Sequence, residues 1–131
     1  MSYSSYKNLG RDANAPRMEF EERFQSQQPE LLKVTSKEHK QKLIDSHSLV
    51  VFDIYGDWCG PCKECEPKVR ELAVKYNSPN ILICKECVDD KITPNIEGVP
   101  VFHFYKNRVF VHTVIGADMA SVEKAILHLK Q

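Results

Sequence analysis

The feature that most constrains this chain is a junction. Leu49-Val50-Val51-Phe52-Asp53-Ile54-Tyr55 is a nearly continuous apolar run of strand length. Such a run suits a strand covered on both faces, because it leaves no side for water. Immediately downstream, Cys59-Gly60-Pro61-Cys62 opens a helical stretch that extends to about Tyr76 and is interrupted at Pro67. A doubly covered strand that feeds a helix demands layers above and below a sheet, so the expected class is α/β.

The rest of the 131 residues fits one domain of that kind. Residues 1–17 are polar and broken by Gly10, Asn14 and Pro16, the pattern of a mobile leader. In Met18 to Gln27, Phe20 and Phe24 stand four apart among charges, which suits a short amphipathic helix ended by Pro29. Leu31 to Val34 is a strand candidate, and Thr35-Ser36-Lys37-Glu38 has capping-box spacing for a helix to about Ser46. Asn77 to Asn80 is turn material, Ile81 to Val88 is a further strand, and Asp89 to Asn95 is a short helix or loop. Val101–Tyr105 and Val109–Ile115, joined by Lys106-Asn107-Arg108, form a hairpin. Asp118 caps a last helix with Val122, Ala125, Ile126 and Leu129 on its apolar face. The order predicts a central mixed sheet of about five strands flanked by about four helices. It also predicts an N-terminal extension over 1–30 and a domain over 31–131.

Charge narrows the function. Eighteen basic residues balance eighteen acidic ones, so nothing argues for nucleic acid or an anionic membrane as partner. No apolar run approaches the roughly 20 residues of a membrane helix. The polar start lacks the apolar core of a signal peptide, and five cysteines is an odd count for a disulfide framework. A reducing compartment, the cytoplasm, is therefore expected, with thiols used for chemistry. A monomer is expected.

Cys59 and Cys62 carry that chemistry. Two intervening residues let the sulfurs meet across the first helical turn, and the helix N-terminus stabilises a thiolate. Pro61 fits there because its missing N–H has no helical partner in any case. Cys59, at the helix end, is expected to be the more exposed and the nucleophile. Cys62, one turn in, is expected to be the resolving thiol. A zinc half-site and a structural disulfide are the alternatives that the pattern leaves open.

Trp58-Cys59-Gly60-Pro61-Cys62-Lys63 resembles the active-site sequence of the thioredoxin family, and the likeness extends over about residues 31–131. The resemblance implies a thioredoxin fold and reduction of protein disulfides, with no bound cofactor beyond a redox-active Cys59–Cys62 disulfide. Its partners would be disulfide-containing proteins and an NADPH-dependent thioredoxin reductase. Asp53 stands where thioredoxins carry a buried aspartate, which would move a proton to or from Cys62. Lys85 falls where a strand lysine lies near that aspartate. Gly98-Val99-Pro100 resembles the segment that holds their cis-proline, so that Val99 offers its backbone to an extended substrate. Gly116 matches a glycine beside the substrate groove, and Trp58, Gly60 and Pro61 would complete the docking rim. Tyr55 in place of a tryptophan, Gly56-Asp57 in place of alanine–glutamate, and Arg108 in place of a glycine depart from the pattern.

Three cysteines remain. Cys-Lys-Glu-Cys occurs at 62–65 and again at 84–87, with eighteen residues between the inner cysteines. That spacing suits a four-cysteine zinc site. On a strand, however, Cys84 and Cys87 point to opposite faces with Cα atoms about 10 Å apart. Buried inert thiols are the expectation for both, and Cys65, one turn beyond Cys62, is a candidate regulatory or alternative resolving thiol. His39, His47, His103, His112 and His128 show no ligand spacing. The competing function is a binding subunit that uses the extension as its partner contact.

Overall fold

A computed structural model describes residues 29–131. The elements run α1 (Lys37–Ser46), β1 (Leu49–Tyr55), α2 (Gly60–Tyr76), β2 (Ile81–Cys87), a 3₁₀ turn (Val88–Asp90), β3 (Val101–Lys106), β4 (Val109–Ile115) and α3 (Met119–Leu129). The sheet has the order β2-β1-β3-β4. β1 pairs in parallel with β2 and antiparallel with β3, and β3 pairs antiparallel with β4. The expected mixed sheet is thus present, with four strands and three α-helices among the described residues.

Two differences account for the missing elements. Leu31–Val34 is not a full strand. It makes a single parallel bridge, Lys33 to Lys85, held by Val34 N–H to Lys85 O and Lys85 N–H to Leu32 O. Its neighbours turn at once toward α1, so the ladder ends after two bonds. The helix expected over Met18–Gln27 lies outside the described residues, as does the leader over 1–17.

β1 explains why the sheet needs two covers. Leu49 and Val51 face one cluster with Val69 and Leu72 of α2 and Ile126 of α3. Val50, Phe52 and Ile54 face a second cluster with Ile44 of α1 and Cys84 of β2. Phe52, Phe102 and Phe104 are fully buried, and truncating any one of them costs about 3–5 kcal/mol.

The caps are local. Ser36, rather than Thr35, is the N-cap of α1, and its hydroxyl accepts from His39 N–H at 3.0 Å. The capping box anticipated from Thr35 to Glu38 is displaced because Thr35 pairs instead with the His39 ring. Asp118 caps α3 through Ser121 N–H. The hairpin turns on Asn107 and Arg108, with φ of 51° and 71°. Both lie in the left-handed region that a two-residue hairpin turn demands. Arg108 meets that demand without being glycine, and its guanidinium reaches Asp45 at 3.6 Å.

Candidate active site

The site forms where β1 ends and α2 begins. Cys59 has extended backbone and is the N-cap of α2. Its Sγ accepts from Cys62 N–H at 3.1 Å. The sulfur thereby meets one of the unpaired N–H groups at the positive end of the helix. Cys59 and Cys62 are joined in a disulfide, with Cα atoms 5.3 Å apart. Gly60 and Pro61 are the first two residues of the helix.

The expectation that Cys59 is the more exposed of the pair is not met: the two are 4% and 5% exposed. The reason is the loop opposite. Val99–Pro100 is a cis peptide, and it brings the Val99 carbonyl oxygen to 3.7 Å from Cys59 Sγ. What distinguishes the two sulfurs is therefore position on the helix, not accessibility.

The loop is tied to the end of β4, since Gly116 N–H donates to Pro100 O at 2.8 Å. Gly116 has φ of 89°, a conformation that favours glycine. Beside it Ile115 is 82% exposed, and Trp58 is 67% exposed. Trp58 donates from Nε1 to Asp89 Oδ2 at 3.1 Å. Its ring folds back over Gly56, where a Cβ would lie 2.8 Å from the indole. A side chain at this position would require the indole to shift. Val99 is thus set against Cys59 and Gly116 against Pro100, with Trp58 next to Cys59 in the chain.

Asp53 lies on the face of β1 that α2 covers, and it is buried. Among the described residues, its Oδ1 is the buried side-chain atom without a hydrogen-bond partner. Burial pushes its pKa up to about 7; Glu66 adds to the rise and Lys85 opposes it. A carboxyl of that pKa exchanges a proton readily near neutral pH. Lys85 stands opposite Asp53 in the ladder, yet its Nζ goes to Glu66 Oε2 at 3.5 Å and lies 5.4 Å from the Tyr55 ring centre.

Two contributors were missed in the sequence, Asp89 and Glu66. Asp89 carries no pattern of its own. Glu66 had a signal, since it follows Cys62 by one helical turn and must share its side of α2.

The remaining cysteines are buried thiols. Cys65 belongs to the α2–α3 cluster and Cys84 to the α1 cluster, so the sheet separates these two thiols. Burial, then the nearby Asp53, pushes the Cys65 thiol up to about 11, and burial pushes Cys84 higher still. Among the described residues, no three His, Cys, Asp or Glu side chains are grouped to hold a metal ion.

A family model described as Thioredoxin matches residues 30–128. The chain is 33% identical to "Thioredoxin 1" of Plasmodium falciparum, a match that covers 71% of this chain and 91% of that protein. It is 30% identical to "Thioredoxin-3, mitochondrial" of Saccharomyces cerevisiae, over 82% of this chain and 86% of that one. Among solved structures, the oxidised form of that yeast mitochondrial thioredoxin superposes with a TM-score of 0.70 at 30% identity, covering 76% of this chain and 95% of its own.

Proposed function

The chain belongs to the thioredoxin family, whose members are protein-disulfide reductases, and on that premise we propose that it reduces target disulfides through a mixed disulfide on Cys59 that Cys62 resolves. The observation that carries this reading is the Cys59–Cys62 disulfide at the N-cap of α2, beneath the Val99 carbonyl.

Two steps balance the reaction. In the reduced chain the Cys59 thiolate attacks one sulfur of a target disulfide. A Cys59–target bond forms, the target's own S–S bond breaks, and the departing sulfur leaves as a thiolate that takes a proton from water. The Cys62 thiol then gives its proton to the Asp53 carboxylate and attacks Cys59 Sγ. The Cys59–Cys62 bond forms, and the second target sulfur leaves as a thiolate. The target has gained two electrons and the chain has lost two. An NADPH-dependent thioredoxin reductase returns them.

Trp58, Gly60, Pro61, Val99, Pro100 and Gly116 bind the target in this scheme, with its strand laid along Val99. The catalytic domain spans 31–131, with 1–30 as an extension, and the chain works as a monomer in the cytoplasm, where free thiols such as Cys65, Cys84 and Cys87 persist. Gly60-Pro61 between the cysteines resembles reductants of the fold more than oxidants. The potential of the couple is therefore expected near about −270 mV and far from the roughly −120 mV of a strong oxidant.

The test is a covalent trap. Cys62→Ser keeps the attacking sulfur and removes the resolving one, so target proteins accumulate as mixed disulfides that dithiothreitol releases. Cys59→Ser is expected to trap almost nothing. Equal trapping by the two variants would reverse the assignment of nucleophile.

A further inference from the structure

Glu66 is the charged group that the reaction above does not use, and it stands in the middle of a chain of charges that ends at Asp53. Its Oε2 accepts from Arg70 Nε at 3.2 Å and Nη2 at 3.1 Å, within α2. The same oxygen lies 3.5 Å from Lys85 Nζ on β2. Glu30 reaches the outer side of both cations, 3.5 Å from Arg70 and 4.0 Å from Lys85. Lys85 is the register partner of Asp53 and the nearest cation from the strand side. A lysine so placed would ordinarily swing toward the buried carboxyl. Here its ammonium is committed to Glu66 and the Tyr55 ring, and Asp53 Oδ1 is left without a partner.

We propose that Glu66 is a positioning residue for the exchange reaction: its carboxylate draws the Lys85 ammonium off Asp53 and so leaves Asp53 free as the proton carrier for Cys62. This rests on the dithiol reading given above and deepens it. Glu66 acts twice on Asp53. Its own negative charge disfavours a second carboxylate nearby, and its hold on Lys85 removes the cation that would favour one. Both effects run in the direction already described for Asp53, upward from burial and from Glu66, downward from Lys85.

The other groups around Asp53 do not replace this control. β3 places Phe102 beside it in the ladder, an uncharged residue. α2 adds Cys62 in the disulfide and Cys65, whose thiol is pushed up and so stays protonated at neutral pH. β2 adds Cys84, whose thiol burial likewise keeps protonated. Tyr55, on β1 itself, is pushed up to about 12 by burial and by Cys87, and stays neutral. Glu66 and Lys85 are the charges that face Asp53.

Glu66→Gln tests the proposal, because it keeps the shape and removes the charge. Two readouts are needed: the Asp53 titration followed by carbon-detected NMR of labelled aspartate, and the single-turnover rate of disulfide reduction against pH. The Asp53 midpoint is expected to fall by about one pH unit as the repulsion goes and Lys85 is released. At pH 8.5, where Asp53 is ionised in both proteins, the rate is expected to fall severalfold, because Lys85 now pairs with the carboxylate and leaves it a weaker base; at pH 6 the carboxylate fraction rises from about a tenth to about a half and offsets that loss. In a Lys85→Met background the same change should move the midpoint by less than half as much. An unmoved midpoint in folded Glu66→Gln overturns the proposal. So does an equal shift with and without Lys85, which would leave Glu66 as a bare charge and not a positioning group. If the NMR midpoint moves as expected while the rate has no pH dependence in either protein, the role of Asp53 in the reaction fails and the Glu66–Lys85–Asp53 linkage stands.

Discussion

The sheet buries one carboxyl on each face and treats the two in opposite ways. Glu86, on β2, points toward α1 and is 1% exposed. Its Oε1 accepts from Lys40 Nζ at 2.9 Å. Lys40 also donates to Thr93 and lies over the Phe52 ring, 4.6 Å from its centre. Asp53, on the neighbouring strand, points toward α2 with one oxygen unpartnered and its nearest cation held by Glu66. Fully paired charge ties elements together and does nothing further. A buried carboxyl left short of partners is costly unless it is neutral, and a group kept near its neutral–charged boundary can move a proton. The difference separates scaffold from chemistry on two adjacent strands.

The comparison breaks most visibly on the paired side. Lys40→Ala strands the Glu86 charge in the core and is expected to cost about 3–5 kcal/mol in urea unfolding. Turnover per folded molecule should be unchanged, since Lys40 does not face the disulfide. A loss below about 1 kcal/mol would mean that the pair is not the structural element it looks to be.

On the unpaired side the signature is a slope. Asp53 has a folded-state pKa raised from 3.8 to about 7. The stability gained from its protonated form is full below about pH 4 and is lost as pH rises to about 7. The whole change amounts to at most about 4 kcal/mol by linkage. Asp53→Asn should flatten that slope, so that the variant gains on the wild type between pH 4 and pH 8. It should also slow disulfide reduction at pH 7 by roughly tenfold to a hundredfold. Parallel stability–pH curves for the two proteins would remove the buried acid from the account.

Removing both partners sharpens the contrast. Lys40→Met with Glu86→Leu fills the same space with apolar atoms and should lie within about 1 kcal/mol of wild type, because the pair's attraction mostly repays its desolvation. A double variant as unstable as Lys40→Ala would show that the pair, and not the avoidance of a lone charge, holds α1 to the sheet. The smallest effect belongs to Cys65. Its thiol is protonated at neutral pH and so is a poor nucleophile. Cys62→Ser with Cys65→Ala should trap the same proteins to the same extent as Cys62→Ser alone. Trapping that rises when Cys65 is removed would mark it as a second resolving thiol.

Much of this was legible in the sequence where one residue has one plausible environment. The apolar run of β1 needs two covers, and a lone Asp53 within it has nowhere to go but the core. Cys59 to Cys62 at a strand–helix junction places the sulfurs without reference to the rest of the chain. The hairpin and the cap at Asp118 follow from local turn chemistry. What was not legible depends on which face a charge meets. Lys85 and Glu86 are adjacent in β2 and look alike in sequence, yet the strand sends them to opposite sides, one to Glu66 and one to Lys40. Lys40 shares a helix face with the buried Ile44, four residues on, and that spacing was the available hint. Leu31–Val34 reads as a strand by composition, but the turn into α1 limits it to one bridge.

The fold of Trp58 over Gly56 has a practical consequence. The chain contains one tryptophan, and it stands directly before the disulfide with its ring held by Asp89 and largely open to solvent. An indole in the residue next to Cys59, anchored at Asp89, senses a change in the bonding at the N-cap of α2. The protein therefore carries its own optical gauge: a change in intrinsic fluorescence between the oxidised and reduced chain would let the electron balance of the Cys59–Cys62 couple be followed in real time without a label.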